Sequence, residues 1–593
     1  MEKVNRKKNN KIMDYKEEIY IKLKEYLEKN NINLEEQEIY GMINKGNEKI
    51  GSDISIACFR LAKDLKKAPN QIAEDIINDI KEIPNVAKME ATGPYINIFL
   101  DREKYSKDVL ENVQNIDLVQ EENVGKTVIL DYSSPNIAKE FHVGHLKTTV
   151  VGAAFRNIFR ALGYTALGDN HLGDYGTQFG KLVEGYNLWK DEYTFENPIK
   201  DLTDIYVRIN ALIEEDEEAK KIAIDNFKKL EEGDEEVTRI WKKFVDLSLK
   251  EFNRIYDYLG VTFDMYKGEA SYSKDMPKVV EMLKEKGLLK ESNGLQIVDL
   301  EDDGLGIVVI QKGNGSSMYV TRDIATFLYR IEEFDFDKAL YVVGSEQIQY
   351  FKQVFKIMEK MGVDKKYTDG AKHIAYGLIS LPEGKMSTRR GNVIKVEALL
   401  KEAIKRVKDK LDEKNDLTEE EKEKVAKQVG IGAVKFSNLA NQLIKDQVFV
   451  WDNVLDYAGD SGPYVQYTNA RIQSVLREYN NRYEEEKDIL NNLNDVIENF
   501  DKNNFENEYV FNLVKKLSEF KEIVLETAKK YETYILTNYL IELSKLFNQY
   551  YNNNKILIDD EDKRKLGIIL CKSTSNVLTR GMELLGIEMP DKM

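Results

Sequence analysis

The most constraining feature of this chain is an apolar run that stops at an acid and is answered, two turns of chain later, by a long helical pattern. Thr127-Val128-Ile129-Leu130 reads as a buried strand ending at Asp131. From about Gly144 to Leu162, Leu146, Val150, Ala154, Ile158 and Leu162 recur in steps of four, with Val151, Phe155 and Phe159 widening the face. Gly163 is the expected helix stop, and Tyr164 to Asp169 the next strand. Strand, helix and strand in about 40 residues fit a right-handed βαβ unit of a parallel sheet. Between strand and helix lies Ser133-Ser134-Pro135-Asn136-Ile137-Ala138-Lys139-Glu140-Phe141-His142-Val143-Gly144-His145, with two of the chain's four histidines. That corner is where α/β folds gather phosphates, because helix N-terminal N–H groups point out of it.

The rest of the chain reads as about two to four domains. At 593 residues it is too long for one core. Cys58 and Cys571 are too few and too far apart for a disulfide framework or a Cys/His zinc site, so the expected compartment is the cytoplasm. The Lys/Asn-rich start lacks the apolar core of a secretory signal, and no apolar stretch is long enough to span a membrane. A net charge of -17 gives nucleic-acid binding no general support, although it leaves room for a local basic surface.

Residues 1–122 read as a small α/β domain. In it Gly51-Ser52-Asp53 caps a helix from Ile54 to Leu65, Pro69 opens another through Ile80, and Tyr95 to Leu100 is a strand. Residues 123–395 form the sheet domain, with a Glu/Lys-rich helical insertion over about 185–300. The sheet is expected to resume at Gly306 to Ile310 and at Lys338 to Gly344. A helical connector, 396–463, leads to a helical bundle, 464–593.

His142 and His145 project from one side of the first helical turn, and Gly144 leaves space for a flat ring against the backbone. An isolated HxxH pair is equally compatible with two structural histidines. About 240 residues on, Lys385-Met386-Ser387-Thr388-Arg389 lies in a Gly/Pro-bounded loop. Alone it reads as a basic surface loop; at the far end of the same domain it can follow the growing charge of a leaving pyrophosphate.

Together these stretches resemble the HIGH and KMSKS signatures of class I aminoacyl-tRNA synthetases. Their surroundings resemble the arginyl-tRNA synthetase family: Ser134 to Lys139, Asn170 to Gly180, Tyr319-Val320-Thr321-Arg322-Asp323, Tyr341 to Gln347, Gly462 to Tyr467 and Leu584 to Pro590. The resemblance covers almost the whole chain. It implies a Rossmann-like α/β catalytic domain that makes arginyl-adenylate from L-arginine and Mg-ATP, a step that waits for bound tRNA, and then charges the arginine tRNA.

By the same resemblance His142, His145, Lys385 and Lys139 are the catalytic set. ATP falls to His142, Gly144 (adenine), His145, Lys385, Met386 and Ser387. Asp131, Tyr319, Asp323 and Gln347 meet the substrate guanidinium, and Ser134 and Asn136 its amino and carboxylate groups. Asp323 is also placed to cap its helix, and Asp131 to be a plain strand-end acid. The bundle resembles an anticodon-binding domain, with Tyr464, Tyr467, Asn469, Arg471 and Arg477 as tRNA candidates; any of them can equally pack on a neighbouring helix. No protein-bound metal and a monomeric state are expected.

Two departures stand out. Thr388 and Arg389 end the second motif, so its second lysine is absent, as in many arginyl enzymes, and Lys139 is a candidate substitute. Glu140 and Tyr350 stand where relatives are expected to carry proline or an apolar residue and histidine. Another class I synthetase, a free-standing nucleotidyltransferase and an inactive tRNA-binding paralogue remain the competing readings.

Overall fold

The computed structural model describes residues 15–47, 49–80, 82–312, 318–380, 395–413, 417–490 and 492–593. The chain forms two compact units: 1–117 with 468–522 and 542–578, and 118–467 with 523–541 and 579–593.

The first unit carries helix α1 (Tyr15–Lys29) and strands β1 (Ile43–Lys45) and β2 (Ile54–Ala57). Helix α2 (Pro69–Asp79), strands β3 (Val86–Thr92) and β4 (Tyr95–Leu100) and helix α3 (Arg102–Asn112) follow. Its sheet is antiparallel, in the order β1-β2-β4-β3. The expected helix from Ile54 is therefore corrected to a strand followed by short helical turns over Cys58–Leu61 and Ala62–Leu65. Ile54 and Ile56 are buried in alternation and pair with Ile98 and Ile96, which a helix could not do. Helical segments of 468–522 and 542–578 complete this unit; the Tyr105 hydroxyl meets Ser518 Oγ at 2.7 Å.

The second unit is built on β5 (Thr127–Asp131), α4 (Val143–Ala161) and β6 (Thr165–Asp169), as the apolar pattern requires. Helices α5 (Thr177–Trp189), α6 (Pro198–Glu215), α7 (Glu217–Glu232), α8 (Glu235–Leu259) and α9 (Met276–Glu285) form the insertion. The long helical pattern from Leu202 to Leu230 breaks in two at Asp216, whose carboxylate accepts from the N–H groups of Glu218 and Ala219 and so starts α7. Strands β7 (Leu289–Ser292), β8 (Leu295–Leu300) and β9 (Gly306–Gln311) form an antiparallel sheet of their own. Gly306 to Ile310 thus does not resume the parallel sheet; it pairs with β8.

Helix α10 (Tyr319–Phe334), strand β10 (Lys338–Gly344), helix α11 (Ile348–Met361) and strand β11 (Ala371–Tyr376) complete the parallel sheet, ordered β11-β10-β5-β6. One face is packed by Ile324, Phe327, Ile357 and Met358 against Ile129 and Ala339. On α4, Leu146, Val150, Ala154, Phe155 and Ile158 are fully buried. At Gly152 a Cβ would lie 2.1 Å from the Tyr132 ring, so only glycine lets α4 cross there. Helices α12 (Val396–Asp412) and α13 (Glu419–Leu439) pack as a pair, and α14 (Gly462–Arg482) follows. Among the described residues no helix is long and apolar enough to cross a membrane.

Candidate active site

Asp131 and Asp169 end adjacent parallel strands side by side, so the crevice at the carboxyl end of the sheet begins with two acids. Between β5 and α4 the chain makes an unusual connection. Ser133, Ser134 and Ala138 all have positive φ, at 70°, 45° and 58°. Each costs about 1–2 kcal/mol for a residue with a Cβ. A dense set of bonds offsets this. The Ser133 N–H donates to Thr148 Oγ1 at 3.1 Å, and its hydroxyl meets the Tyr256 hydroxyl at 2.8 Å. The Ser134 N–H donates to Asn170 Oδ1 at 3.2 Å, and the Ala138 N–H to Ser248 Oγ at 2.9 Å. Asn136 is exposed and bridges in parallel to Gly173, where a Cβ would sit 2.2 Å from Asn136 Oδ1.

His142 is the N-cap of α4, and the two histidines cap the helix reciprocally. The Gly144 N–H donates to His142 Nδ1 at 3.1 Å, and the His142 N–H donates to His145 Nδ1 at 3.3 Å. A ring nitrogen that accepts from a backbone N–H carries no proton. Each neutral imidazole therefore holds its proton on Nε2, away from the backbone. The rings stack with centroids 3.9 Å apart. Burial, reinforced by the neighbouring charge of Lys139, lowers the His142 pKa. Burial, then His142 and Lys139, pushes His145 down to about 3. The helix start thus presents two neutral N–H donors and an exposed lysine. A Cβ on residue 144 would lie 2.9 Å from His142 Cε1. The His142 ring itself lies against Gly144, in space that a side chain at position 144 would fill.

Glu140 is ion-paired with Lys395 at 2.5 Å, beside an antiparallel bridge from His142 to Lys395. Lys385, Met386 and Ser387 lie outside the described residues.

The crevice beyond the histidines is lined with acids. Arg330, 1% exposed, donates to Asp131 Oδ2 and Asp169 Oδ2, both at 2.7 Å. The Ser134 hydroxyl donates to Asp131 Oδ1 at 2.9 Å. Asp131 is thus already answered from within the protein, while Asp169 Oδ1 is buried without a hydrogen-bond partner among the described residues. Asp131, Asp169 and His171 bring three potential ligand atoms within 4.8 Å of one another. Arg330 places a fixed positive charge on both carboxylates, so this group does not fit a metal ion.

Asp323 is the fifth residue of α10, in its second turn. It does not cap that helix, since Met318 holds the N-cap position. The Tyr350 hydroxyl donates to Asp323 Oδ2. Burial raises the Asp323 pKa, while Tyr350, His171 and Arg322 pull it back. Glu269 and Arg322 form an ion pair. Burial pushes Glu269 up to about 7 against the opposing pull of Arg322. The Ala270 N–H donates to Asp174 Oδ1 at 2.8 Å. Tyr319 is exposed, with Arg322 5.2 Å from its ring centroid, and Gln347 is exposed in the turn before α11.

Sequence reasoning missed Arg330, Asp169, Asp174 and Glu269. Glu269 sits among the many glutamates of the insertion, and Arg330 is one of two arginines on α10. Nothing local distinguishes either residue before the sheet brings them together.

This crevice belongs to a fold with close relatives. Residues 107–451 match the family model described as tRNA synthetases class I (R), catalytic domain. Residues 465–593 match the DALR anticodon binding domain, and 17–100 the arginyl tRNA synthetase N terminal domain. The arginine–tRNA ligase of Halothermothrix orenii is 42% identical over 98% of this chain and all of its own length. The chain belongs to the arginyl-tRNA synthetase family. The arginine–tRNA ligase of Clostridium beijerinckii is 41% identical over 98% of this chain and 100% of its own. The arginyl-tRNA synthetase structure from Plasmodium falciparum superposes with a TM-score of 0.75 at 25% identity, covering 93% of this chain and 94% of that one. The Thermus thermophilus arginyl-tRNA synthetase shares the fold, with a TM-score of 0.75 at 23% identity over 93% and 96% of the two chains.

On helix α14, Tyr464 and Tyr467 are half-buried and Arg477 is exposed. Arg471 is half-buried, hydrogen-bonded to Asn548 and 5.3 Å from the centroid of the Tyr551 ring. Asn469 is 2% exposed and accepts from the Ser575 hydroxyl at 2.8 Å. That burial gives Asn469 a packing role, which corrects the expectation that it faces tRNA.

Proposed function

We infer that this chain, as an arginyl-tRNA synthetase, activates L-arginine with ATP to arginyl-adenylate and transfers the arginyl group to the 3′-terminal ribose of the arginine tRNA. The observation that carries the reading is the charge of the crevice next to the two neutral histidines. Five carboxylates (Asp131, Asp169, Asp174, Glu269 and Asp323) face two guanidiniums, Arg322 and Arg330. A site with that surplus favours a cationic substrate.

In the first step an arginine carboxylate oxygen attacks the α-phosphorus of Mg-ATP. A new P–O bond forms, the α–β bridge breaks, and pyrophosphate leaves with the bonding electrons. In the second step a terminal ribose hydroxyl attacks the acyl carbon, and AMP departs. The residues supply placement and charge stabilisation. His142 and His145 donate hydrogen bonds from Nε2–H to phosphate oxygens, and being neutral they do so without a charge of their own. Lys139 adds positive charge beside them, and Lys385, with Met386 and Ser387, follows the β- and γ-phosphates. Gly144 acts in ATP binding by giving the His142 ring its place.

At the other end of the substrate, Asp323 takes the guanidinium, with Glu269 beside it and Tyr319 against its plane. Asp131, fixed by Arg330, contributes negative charge to the wall. Gln347 completes the guanidinium set, and Ser134 and Asn136 serve the amino and carboxylate end. Arg477, Tyr464, Tyr467 and Arg471 are the tRNA candidates on α14. The same reading makes 1–122 a tRNA-contacting domain, 123–395 the catalytic domain, 396–463 its connector and 464–593 the anticodon-binding domain of a cytoplasmic monomer.

Charging assays test the reading. With the arginine tRNA, ATP and each amino acid in turn, arginyl-tRNA accumulates; accumulation of a different aminoacyl product contradicts it. Lys139→Ala lowers kcat for charging by about 10²-fold, the range for one transition-state charge contact, while the arginine KM stays within about threefold. A near-normal kcat removes Lys139 from the phosphate site.

A further inference from the structure

Asp323, in the second turn of α10, and Tyr350, in the first turn of α11, meet across the two helices at the crevice. We propose that Tyr350 is a positioning residue for arginine recognition: its phenol O–H holds one oxygen of the Asp323 carboxylate and leaves the other for the substrate guanidinium. The inference rests on Asp323 being the guanidinium partner.

Three observations carry it. The Tyr350 hydroxyl donates to Asp323 Oδ2, which fixes the rotation of the carboxylate. The Tyr350 ring is itself held. It meets Phe351 edge-on at 5.7 Å, and Phe351 stacks on His373 at 4.4 Å and lies 5.2 Å from Tyr341. The donor is therefore preorganised by a packed aromatic row and does not have to be ordered when substrate binds. Finally, the donor is neutral. Burial and the Asp323 charge both raise the Tyr350 pKa, so the phenol keeps its proton. A neutral donor orients a carboxylate without cancelling its charge, whereas a cation at that point would compete with the guanidinium.

The groups facing Asp323 are accounted for. Arg322, on the same turn of α10, is committed to Glu269 and stacks 4.6 Å from the Tyr175 ring centroid. Asp131 approaches from the end of β5, His171 from the loop after β6, and Glu269 from the turn ahead of α9. Arg322 and His171 lower the Asp323 pKa and Asp131 raises it, and burial raises it most. Against that burial, the Tyr350 hydrogen bond lowers the Asp323 pKa and so favours the ionised carboxylate. Without it the Asp323 pKa rises, and arginine binding is lost at a higher pH as pH falls. The substrate guanidinium does not titrate in this range.

The test is steady-state charging by the full-length enzyme and its Tyr350→Phe, Tyr350→His and Asp323→Asn variants, as a function of pH. For Tyr350→Phe the arginine KM rises about tenfold, the size of one hydrogen bond to a charged group. The ATP KM stays within about twofold, and the acid limb of kcat/KM for arginine moves to higher pH. Tyr350→His, which keeps a donor, brings the arginine KM back toward wild type. An unchanged arginine KM with an unmoved acid limb overturns the proposal. So do a parallel rise in the ATP KM and a Tyr350→His variant as impaired as Tyr350→Phe, both of which assign the ring to packing alone. If Asp323→Asn leaves arginine use intact, the guanidinium reading of Asp323 fails and this inference with it. If Asp323→Asn abolishes arginine use while Tyr350→Phe changes nothing, only the role of Tyr350 fails.

Discussion

Asp323→Asn lowers kcat/KM for arginine on the order of 10³-fold, the cost of leaving one partner of a buried ion pair unmatched. The carboxylate sits in the second turn of α10, already oriented by Tyr350, and its environment penalises an isolated charge. Bound guanidinium relieves that penalty, whereas an amide of the same shape offers one acceptor and no charge. The loss is confined to arginine: the ATP KM stays within about threefold, because His142, His145 and Lys139 are untouched. The same geometry predicts rejection of lysine, whose ammonium cannot make a planar, two-point pairing. A change in arginine kcat/KM of less than about tenfold is incompatible with Asp323 as guanidinium partner.

The second large effect belongs to His145. His145→Ala lowers kcat by about 10²–10³-fold, the range for deleting one preorganised donor to a developing charge, with little change in the arginine KM. The substitution also removes the acceptor for the His142 N–H, a capping contact worth about 1 kcal/mol. A pH signature separates the histidine from a general loss of stability. His145 is held near a pKa of about 3, below the roughly 6.5 of the unfolded chain. Below pH ~6.5 the unfolded chain binds a proton that the folded one refuses, so stability falls as pH falls, and the loss levels off near pH ~3. Between pH 7 and 5 this one group removes about 2 kcal/mol of stability. Stability measured at those two pH values shows the loss in the wild-type protein and a smaller one in His145→Asn. Equal losses in the two proteins contradict the buried, neutral state of the ring.

What could be read from the sequence follows the range of the signal. The unit from β5 through α4 to β6 was legible because its apolar residues repeat over a long window and Gly163 marks its end. The Ile54 segment was misread because over a few residues the alternation of a strand and the spacing of a helix share the same apolar positions. The Gly306 strand was recognised as a strand and given the wrong sheet, because an apolar run does not encode its pairing partner. Within the site, His142 and His145 were legible because two scarce residues share one turn. The strained backbone at Ser133, Ser134 and Ala138 was not, because no glycine announces it. Glu269 and Arg330 became visible only through folding, which brings a turn ahead of α9 and the far end of α10 to the same crevice.

The departures also resolve differently. Glu140 pairs with Lys395 near the helix start, with side chains 30% and 55% exposed, which makes it a surface contact of at most about 1 kcal/mol. Tyr350, by contrast, touches Asp323, the acid proposed to take the substrate guanidinium.

The central claim is that this crevice selects arginine and activates it at the neutral histidine pair. ATP–pyrophosphate exchange with each amino acid, with and without the arginine tRNA, measures both parts at once. Exchange driven by arginine, strongest with tRNA present, is the predicted result. Exchange driven by another amino acid, or none under any condition, contradicts the account.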